Sequence, residues 1–333
     1  MQSAAGLALE TLTLTQHGRV LTAVFSDPPN HFLSLRLVKD MDRLSAAVDR
    51  DPTVGAVILT GTGDKFISHS EPEQVRLFFE MTAPPLPQRV LRWSIRANNL
   101  ALSIPAVRTM TEKRGGEWGS GIVYSTLLKR TNLRMNRSGV VYIAAINGVA
   151  LGGGFEMALA CDLRLASDAD HVRIGLIEIL AGLIPGGGGT QRLARMIGQA
   201  RALEHMVEGR PLTAQEALEL GIVTRISAAD DLLTEARQLA GRLSRRSPHA
   251  VSALKRAVYL TNARTLSAAL DVELAAFIST GANPEKATVA AGFEADVNRL
   301  GDSPFVTEIE PWLDGVGHRG PAGGDNADEP VTR

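Results

Sequence analysis

The chain has 333 residues, of which 44% are hydrophobic, and this is enough to bury the core of one large domain or of one domain with an appendage. Its formal net charge is −1, so there is no overall electrostatic basis for binding nucleic acid or a membrane surface. The single cysteine, Cys161, excludes an internal disulfide framework and is typical of a reducing compartment. Because the chain also has neither a bilayer-length apolar run nor a secretory signal, we expect a cytoplasmic protein.

Short apolar segments alternate with a helical pattern in the first half of the chain. Segments 20–25, 54–60 and 140–146 are apolar and contain β-branched residues, which predicts strands. Between the first two segments, apolar residues recur at helical spacing: Leu37, Met41, Leu44 and Val48. Strands that alternate with helices at this density predict an α/β fold.

The part of the chain after Gly189 is predicted to be mainly helical. The predicted helices are 190–197, 200–207, 213–220, 232–243, 248–260 and 266–278. Thr213 and Glu216 have the spacing of a capping box, and Gly221 stands where a helix C-cap glycine is expected. The last residues, 306–333, end in a stretch rich in Gly, Pro, Asp and Asn, which predicts a disordered tail.

Residues 80–137 are strongly basic, with ten Lys or Arg residues and three acidic ones. A solvent-exposed helical insertion is one interpretation of this charge pattern. An electrostatic surface for a phosphate-bearing ligand is the other.

Three consecutive glycines, Gly152, Gly153 and Gly154, follow a strand and its turn and precede a short helix. Glycines cost conformational entropy when the chain folds, so a compensating role is expected. Without Cβ atoms the backbone can approach a ligand closely, and the N–H groups at a helix N-terminus point outward at the positive end of the helix dipole. This predicts a site that stabilises a negative charge on a substrate oxygen. Close packing of the helix is the alternative role for the glycines.

Two glutamates, Glu156 and Glu178, accompany these glycines. Glu156 lies in the first turn of the helix, where the dipole also favours a carboxylate that serves only as a cap. Glu178 lies in a wholly apolar stretch, where an unpaired carboxylate is costly. Two carboxylates near one oxyanion site predict a general acid/base pair, because burial and mutual repulsion separate their pKa values. A second glycine cluster, 186–189, precedes the next helix.

The residues around these glycines and glutamates resemble the core signature of the crotonase (enoyl-CoA hydratase/isomerase) superfamily. The resemblance rests on Ile146-Asn147-Gly148, on 152–156, on Ala160-Cys161-Asp162, and on Glu178 with 182–193, and segments 209–217 and 221–223 are also similar. It covers roughly residues 18–78 and 138–278.

The resemblance implies a crotonase-like spiral of ββα units in residues 1–238, with an atypical insertion at about 80–137, and a helical oligomerisation region in 239–305. It implies a coenzyme A thioester as substrate, no further cofactor or metal, and a homotrimer or a dimer of trimers. In the family, two backbone N–H groups hold the thioester oxygen while an enolate forms, and Gly153 matches one of these donors. In hydratases, two glutamates position and activate a water molecule, and Glu156 and Glu178 match them.

The chain departs from the family pattern in the segment that supplies the other oxyanion donor. An Ala-Gly-Ala-Asp-like segment is usual, and residues 66–72 occupy its place. The alignment gives Ser68 as the second N–H donor. The remaining residues expected at the substrate site are Phe66, His69, Ser70, Gly152 and Gly154. His69 stands in place of the usual glycine and either takes part in catalysis or points to solvent.

These residues favour an enoyl-CoA hydratase-like lyase, in which Glu178 exchanges the α-carbon proton and Glu156 orients and activates water. A second possibility is another crotonase reaction, such as thioester or β-diketone hydrolysis, isomerisation or decarboxylation, that uses the same oxyanion hole with His69. A third is a catalytically silent homologue that binds acyl-CoA. The insertion is expected to line or cover the acyl pocket with Trp93, Leu100, Leu102, Ile104, Trp118, Ile122 and Tyr124.

Overall fold

A computed structural model describes residues 3–71, 87–260, 266–280, 286–301 and 303–313. Within these ranges the strands are β1 (Leu12–His17), β2 (Val20–Phe25), β3 (Ala56–Thr60), β4 (Lys65–Ile67), β5 (Val141–Ile146), β6 (Val149–Leu151), β7 (Leu163–Ser167), β8 (Ile174–Gly175) and β9 (Arg225–Ser227). Short 3-10 helices occur at Ala4–Gly6 and Glu178–Ala181. The three predicted strands are β2, β3 and β5, and they lie in a six-stranded sheet with the order β1-β2-β3-β5-β7-β9. Strands β4, β6 and β8 form a second, smaller sheet.

The helices in the described ranges are α1 (Leu35–Val48), α2 (Gln88–Ala101), α3 (Pro105–Arg114), α4 (Gly116–Met135), α5 (Gly153–Ala160), α6 (Gly189–Ile197), α7 (Gln199–Glu208), α8 (Ala214–Glu219), α9 (Leu232–Leu243), α10 (Pro248–Leu260), α11 (Leu266–Thr280), α12 (Lys286–Leu300), α13 (Pro304–Thr307) and α14 (Glu310–Leu313). The helices predicted from the sequence are confirmed with ends that differ by one or two residues. Thr213 and Glu216 form the predicted capping box at the start of α8, and Gly221 adopts a left-handed φ of +73° shortly after its end.

Successive strand pairs show how the chain winds. Strand β3 lies in the large sheet and β4 in the small one, and β5 with β6 and β7 with β8 repeat this arrangement. Neighbouring strands are parallel except for β1 and β2, which form an antiparallel hairpin. Since helix α5 follows the second pair, this repetition confirms the predicted spiral of ββα units.

Alternation along β3 builds a core on both faces of the large sheet. Val57 and Leu59 pack into the main core together with the apolar side of α1, whereas Ile58 points to the other face. Helix α9 covers that second face through Ala236 and Leu239. Both residues of α9 contact the same apolar cluster on this face of the sheet.

The basic insertion is helical, and part of its charge has a structural role. Helix α4 lies along α1, and Arg134 Nη1 donates to Asp42 Oδ1 at 2.9 Å. Arg130 also pairs with Asp42, through Nε at 2.9 Å and through Nη2. These bonds hold the insertion against the core, so a surface for phosphate is not required to explain these two cations. Residues 80–86 of the predicted insertion lie outside the described ranges.

The C-terminal helical region is anchored to the core by a buried ion pair. Lys255 Nζ on α10 lies 2.7 Å from Asp162 Oδ2 and donates to the Val140 carbonyl at 2.9 Å. Asp162 also accepts from the Tyr142 N–H at 2.8 Å and from the Tyr259 hydroxyl at 3.1 Å. Because the side chains of Lys255 and Asp162 are only 8% and 12% exposed, the pair is poorly screened by solvent.

Replacing Lys255 with methionine is expected to lower the free energy of unfolding by about 3–5 kcal/mol, because Asp162 would keep a buried charge without a cation. Urea denaturation measures this change. The double variant Lys255→Met/Asp162→Asn should recover most of the loss, since it removes both charges. If the double variant is as unstable as the single one, the ion pair is not what anchors α10.

The beginning of the predicted disordered tail is ordered. Helix α14 places Trp312 at 5% exposure, and its ring meets the Phe305 ring edge-on with centroids 5.2 Å apart. Trp312 Nε1 also donates to Asp296 Oδ2 at 2.9 Å. Residues 306–313, the beginning of the predicted tail, therefore include helical segments, and the apolar residues before the Gly-rich stretch pack on α12. Residues 314–333 lie outside the described ranges.

Candidate active site

The glycine turn between β6 and α5 has the geometry of an anion site. Gly152 has φ +49° and ψ −125°, which a residue with a side chain rarely adopts. Its N–H donates to the Gly175 carbonyl at 2.8 Å, and its own carbonyl accepts from the Glu156 N–H at 2.9 Å. Helix α5 then begins at Gly153, whose N–H has no partner inside the helix. No described residue accepts a hydrogen bond from the Gly153 N–H.

The other two glycines serve different purposes. A Cβ on Gly154 would lie 2.1 Å from the Ile67 carbonyl oxygen, so this glycine allows α5 to pack against the end of β4. Gly154 is therefore required for close packing, and its predicted contact with substrate stays a prediction. A Cβ on Gly153 would instead lie 2.5 Å from Ser70 Oγ and 2.9 Å from Leu33 Cδ2.

Phe66 was predicted at the substrate site, and the structure places it in the core. Its side chain is fully buried, and its ring meets the Phe25 ring edge-on with centroids 5.4 Å apart. The alternation of β4 turns this side chain inward, so Phe66 packs in the core beneath the segment.

Ser68 was predicted as the second oxyanion donor, and its hydrogen bonds exclude this role. The Ser68 N–H donates to the His31 carbonyl at 3.0 Å. Its hydroxyl donates to the carbonyl oxygens of Asn30 and His31. Both donors of Ser68 are thus used to join this segment to the loop before α1.

Ser70, two residues further along, lies next to Gly153 instead. Ser70 forms a parallel bridge with Leu33, in which the Leu33 N–H donates to the His69 carbonyl at 2.8 Å and the Glu71 N–H donates to the Leu33 carbonyl at 3.3 Å. In such a bridge the central residue turns its own N–H away from the partner strand. No described residue accepts a hydrogen bond from the Ser70 N–H. Gly153 and Ser70 are therefore the adjacent pair of unengaged N–H groups at this site.

The His69 side chain packs against the same segment. Its Nδ1 lies 2.7 Å from the Ser70 carbonyl oxygen, so Nδ1 carries a proton and donates it in this bond. The imidazole also lies against Phe32, with ring centroids 4.6 Å apart. Since Nδ1 is engaged, Nε2 is the nitrogen left for any general-base role.

Glu156 is buried and surrounded by backbone N–H groups. It is 3% exposed, and both of its carboxylate oxygens accept from the Gly187 N–H, at 2.7 and 2.8 Å. Oε1 also accepts from the Gly189 N–H at 2.8 Å. Burial raises the pKa of Glu156, while these N–H groups and the charge of Arg192 favour the ionised form. The second glycine cluster of the sequence is thus the cradle of this carboxylate.

Glu178 lies on the other side of the glycine turn, as the first residue of a 3-10 helix. Its Oε1 lies 3.4 Å from the position that a Cβ on Gly152 would occupy. Its Oε2 is buried and has no hydrogen-bond partner among the described residues. Burial, and then the charge of Glu156, raise the pKa of Glu178 to about 7.

The two carboxylates therefore differ at neutral pH. Three N–H bonds favour the ionised form of Glu156, whereas Glu178 has a pKa near 7 and holds a proton below it. A charged and a protonated carboxyl group on two sides of an N–H pair can act together as general base and general acid. The sequence predicted both glutamates, and the structure brings them to one site.

Tyr124 is a site residue that the sequence indicated only as part of an apolar surface. It lies on α4, is 6% exposed, and its hydroxyl lies near the Ser70 side chain. Burial raises the pKa of Tyr124, and the charges of Glu156 and Glu178 raise it further. The phenol therefore stays protonated at neutral pH. No local sequence pattern marks this contact, since 54 positions along the chain separate Tyr124 from Ser70.

A cavity of about 870 Å³ lies behind α4 and the second glycine cluster. Trp118 and Ile122 of the insertion line it, together with Gly187, which bonds to Glu156. Trp93 and Leu100 are 70% and 75% exposed and do not line this cavity. Of the expected apolar residues, Trp118 and Ile122 line the cavity, and Ile95 of α2 lines it as well. Within the described ranges no group of His, Cys, Asp or Glu side chains could hold a metal ion, and no helix there is long and apolar enough to cross a membrane.

Replacing Glu178 with glutamine is expected to stabilise the protein more at about pH 8 than at about pH 5. The folded-state pKa of about 7 lies above the ordinary value of 4.5, so protonation stabilises the fold at low pH and this contribution is lost as the pH rises from 4.5 through 7. The difference in unfolding free energy between variant and wild type should change by on the order of 3 kcal/mol across this range. Urea denaturation at both pH values measures it. A pH-independent difference would show that Glu178 titrates normally.

The chain is similar to known proteins of one enzyme family. The family model for enoyl-CoA hydratase/isomerase matches residues 111–295 of the chain. A probable enoyl-CoA hydratase from Mycobacterium bovis is 31% identical over 290 residues, which cover 86% of this chain and 96% of that protein. An enoyl-CoA hydratase structure from Bacillus anthracis covers 86% of this chain and 97% of its own, with a TM-score of 0.67 and 25% identity. A Thermobifida fusca structure described as an enoyl-CoA hydratase in complex with CoA covers 84% and 94%, with a TM-score of 0.60 and 25% identity.

Proposed function

The chain belongs to the enoyl-CoA hydratase/isomerase family, and we propose that it adds water across the α,β double bond of an acyl-CoA thioester. The observation that carries this proposal is that Glu178 lies beside Gly152. Gly152 directly precedes Gly153, whose N–H has no acceptor among the described residues. It puts a carboxyl group with a pKa near 7 next to the predicted oxyanion site. A shared fold does not fix the reaction, so the proposal rests on these side chains.

Two N–H groups are proposed to hold the thioester oxygen, those of Gly153 and Ser70. Both are directed away from protein acceptors in the described ranges, and the two residues are in contact. The Gly153 N–H lies at the N-terminus of α5, where the positive end of the helix dipole also favours a negative charge. Donors placed in this way stabilise the charge that develops on the oxygen as the enolate forms.

The two glutamates are proposed to handle the protons. Glu156 takes a proton from water as the water oxygen bonds to the β-carbon, and the π electrons of the double bond move onto the thioester oxygen. Protonated Glu178 then gives its proton to the α-carbon as the carbonyl re-forms. Glu156 takes up one proton and Glu178 releases one, so the total charge of the two glutamates is the same after the reaction as before it. The proposed chemistry uses no cofactor beyond the coenzyme A of the substrate.

Incubation with enoyl-CoA thioesters from short to long acyl chains tests this proposal. We expect loss of the conjugated enoyl absorbance without release of free thiol. Absence of turnover on every thioester would overturn the proposal. Release of thiol would instead indicate hydrolysis, and binding of acyl-CoA without turnover would indicate a silent homologue.

We also propose that the protein forms a homotrimer or a dimer of trimers. The turn that carries Glu178 packs against α7, and the two together expose large apolar side chains. Leu180, Ile184, Leu203 and Val207 are 71%, 75%, 61% and 61% exposed. Exposed apolar clusters of this kind mark protein interfaces. Sedimentation velocity tests the state, and a monomer at micromolar concentration would contradict it.

A further inference from the structure

The cavity of about 870 Å³ lies on the far side of Gly187 from the proposed catalytic groups. None of the residues assigned above to the oxyanion site or to proton transfer lines it. The Gly187 N–H donates to Glu156, whereas the Gly187 carbonyl accepts from Asn132 Nδ2 and from Arg192 Nη1, each at 3.1 Å. Asn132 and Arg192 both line the cavity. The cavity is therefore a compartment of its own, behind the residue that holds Glu156 in place.

The cavity extends along helix α4. The α4 residues that line it recur at spacings of three and four between positions 117 and 133, so they occupy one face of the helix. Trp118 and Ile122 give it an apolar wall near the start of α4, and Glu117 lines the same end. From residue 118 to residue 132 the helix rises about 20 Å. The cavity is thus long enough for an extended chain.

Positive charge is concentrated at the other end of the cavity. Lys129 lines the cavity there, and Arg192 donates to the side chain of Asn136, the C-cap of α4, through Nη2 at 3.1 Å. Arg164 and Arg195 also line the cavity. None of these four cations forms an ion pair with a carboxylate within the described ranges. Cations that no carboxylate neutralises favour an anionic ligand.

Arg164 is a buried cation close to Arg192. It is 5% exposed, and its Nε and Nη1 donate to backbone carbonyls, among them that of Cys161 at 2.8 Å. Arg192 donates to Asn136, whose own Nδ2 donates to the carbonyl of Ala160, the residue before Cys161. Arg164 Nη2 has no partner among the described residues and is not fully enclosed by them, so it is open to the cavity. Both guanidinium groups thus have N–H donors left for a carboxylate, which such groups bind through paired hydrogen bonds.

We propose that this cavity is a second ligand site and that it binds a long-chain carboxylate of the fatty acid type. Arg192 and Arg164 hold the carboxylate, and the chain lies along α4 with its apolar end at Ile122 and Trp118. The reverse orientation would bring the carboxylate to Glu117, which repels it. The site goes beyond the proposed hydration and does not depend on it, because no proposed catalytic group lines the cavity.

Isothermal titration calorimetry with a series of saturated fatty acids, below the concentrations at which they form micelles, tests the recognition. We expect the affinity to rise about threefold per added methylene until the chain fills the cavity. The primary alcohol of the same length should bind at least about tenfold more weakly, because it lacks the charge that the two arginines recognise. Equal affinities of acid and alcohol, or no binding of any acid, would overturn the proposal.

Two variants locate the bound ligand. Ile122→Trp narrows the apolar part of the cavity and should weaken the binding of long acids more than that of short ones. Arg192→Gln should weaken the binding of every acid by a similar factor and leave the alcohols unchanged. Trp93→Ala is the matched control, since Trp93 is 70% exposed and does not line the cavity. An effect of Trp93→Ala as large as that of Ile122→Trp would place the ligand elsewhere and contradict the assignment.

Titration of the fatty acid into protein saturated with a long-chain saturated acyl-CoA separates this site from the substrate site. We expect one equivalent of fatty acid to bind as before. Displacement by the acyl-CoA would show that the cavity holds the acyl chain of the substrate, and it would overturn the second site while leaving the proposed hydratase intact. Enoyl-CoA turnover is measured in parallel, so a protein that binds the acid and hydrates no thioester would contradict the proposed function alone.

Discussion

Replacing Gly153 with proline is expected to lower kcat for enoyl-CoA hydration about 10²–10³-fold below that of the Gly153→Ala variant. Proline lacks the backbone N–H, and its fixed φ is compatible with the first position of a helix. Helix α5 can therefore still begin at residue 153. Both variants add a Cβ that would lie 2.5 Å from Ser70 Oγ, so the steric effect is common to them. The difference between the two isolates the N–H donor.

The comparison needs kcat and KM for both variants, with circular dichroism and thermal unfolding to show that they are folded. A loss confined to kcat indicates a donor that acts in the transition state. If proline and alanine give the same kcat, the Gly153 N–H is not an oxyanion donor. A loss in both variants would then be due to the displaced Ser70 side chain.

Elements with strong periodicity could be predicted from the sequence. The apolar positions of α1 and the capping box of α8 are local patterns, and each stands where it was expected. Glu178 could be singled out because a carboxylate in an apolar stretch needs a partner or a function. Its buried, unpartnered Oε2 is the structural counterpart of that argument.

The register of a short loop could not be predicted in the same way. Ser68 was chosen by alignment with alanine in the family segment, and Ser70 is the residue beside Gly153. The choice depends on which N–H groups bond to the loop at His31 and Leu33. That loop lies 37 residues before Ser70 in the chain, and its position is set by tertiary packing.

Contacts between segments that are distant along the chain could not be predicted from the sequence either. The second glycine cluster was recognised as a helix start, but its role as the N–H cradle of Glu156 depends on how α6 packs beside α5. Tyr124 looked like one of several apolar side chains of the insertion. Its contact with Ser70 depends on how α4 lies along α1.

Replacing Glu178 with glutamine is expected to lower kcat/KM about 10²–10⁴-fold and to remove the pH dependence near 7. In the proposed mechanism the active enzyme carries one proton on the Glu156–Glu178 pair, and the three N–H bonds to Glu156 place it on Glu178. The pKa of Glu178 is about 7, so kcat/KM of the wild type should be constant just below pH 7 and fall about tenfold per pH unit well above it.

The sign of this dependence should be the same for hydration and for dehydration. Net hydration neither releases nor consumes a proton, so the ratio of the two kcat/KM values is an equilibrium constant that does not vary with pH. Both reactions must therefore require the singly protonated pair.

Glu178→Asp is the matched control: it keeps a titrating carboxyl group, so it should keep the decline above neutral pH while losing rate through misplacement. If Glu178→Gln retains the decline, the titrating group is another residue. The same variant is expected to be more stable than the wild type above pH 7. A loss of rate together with this gain of stability would show that burying the Glu178 carboxyl group costs stability and serves catalysis.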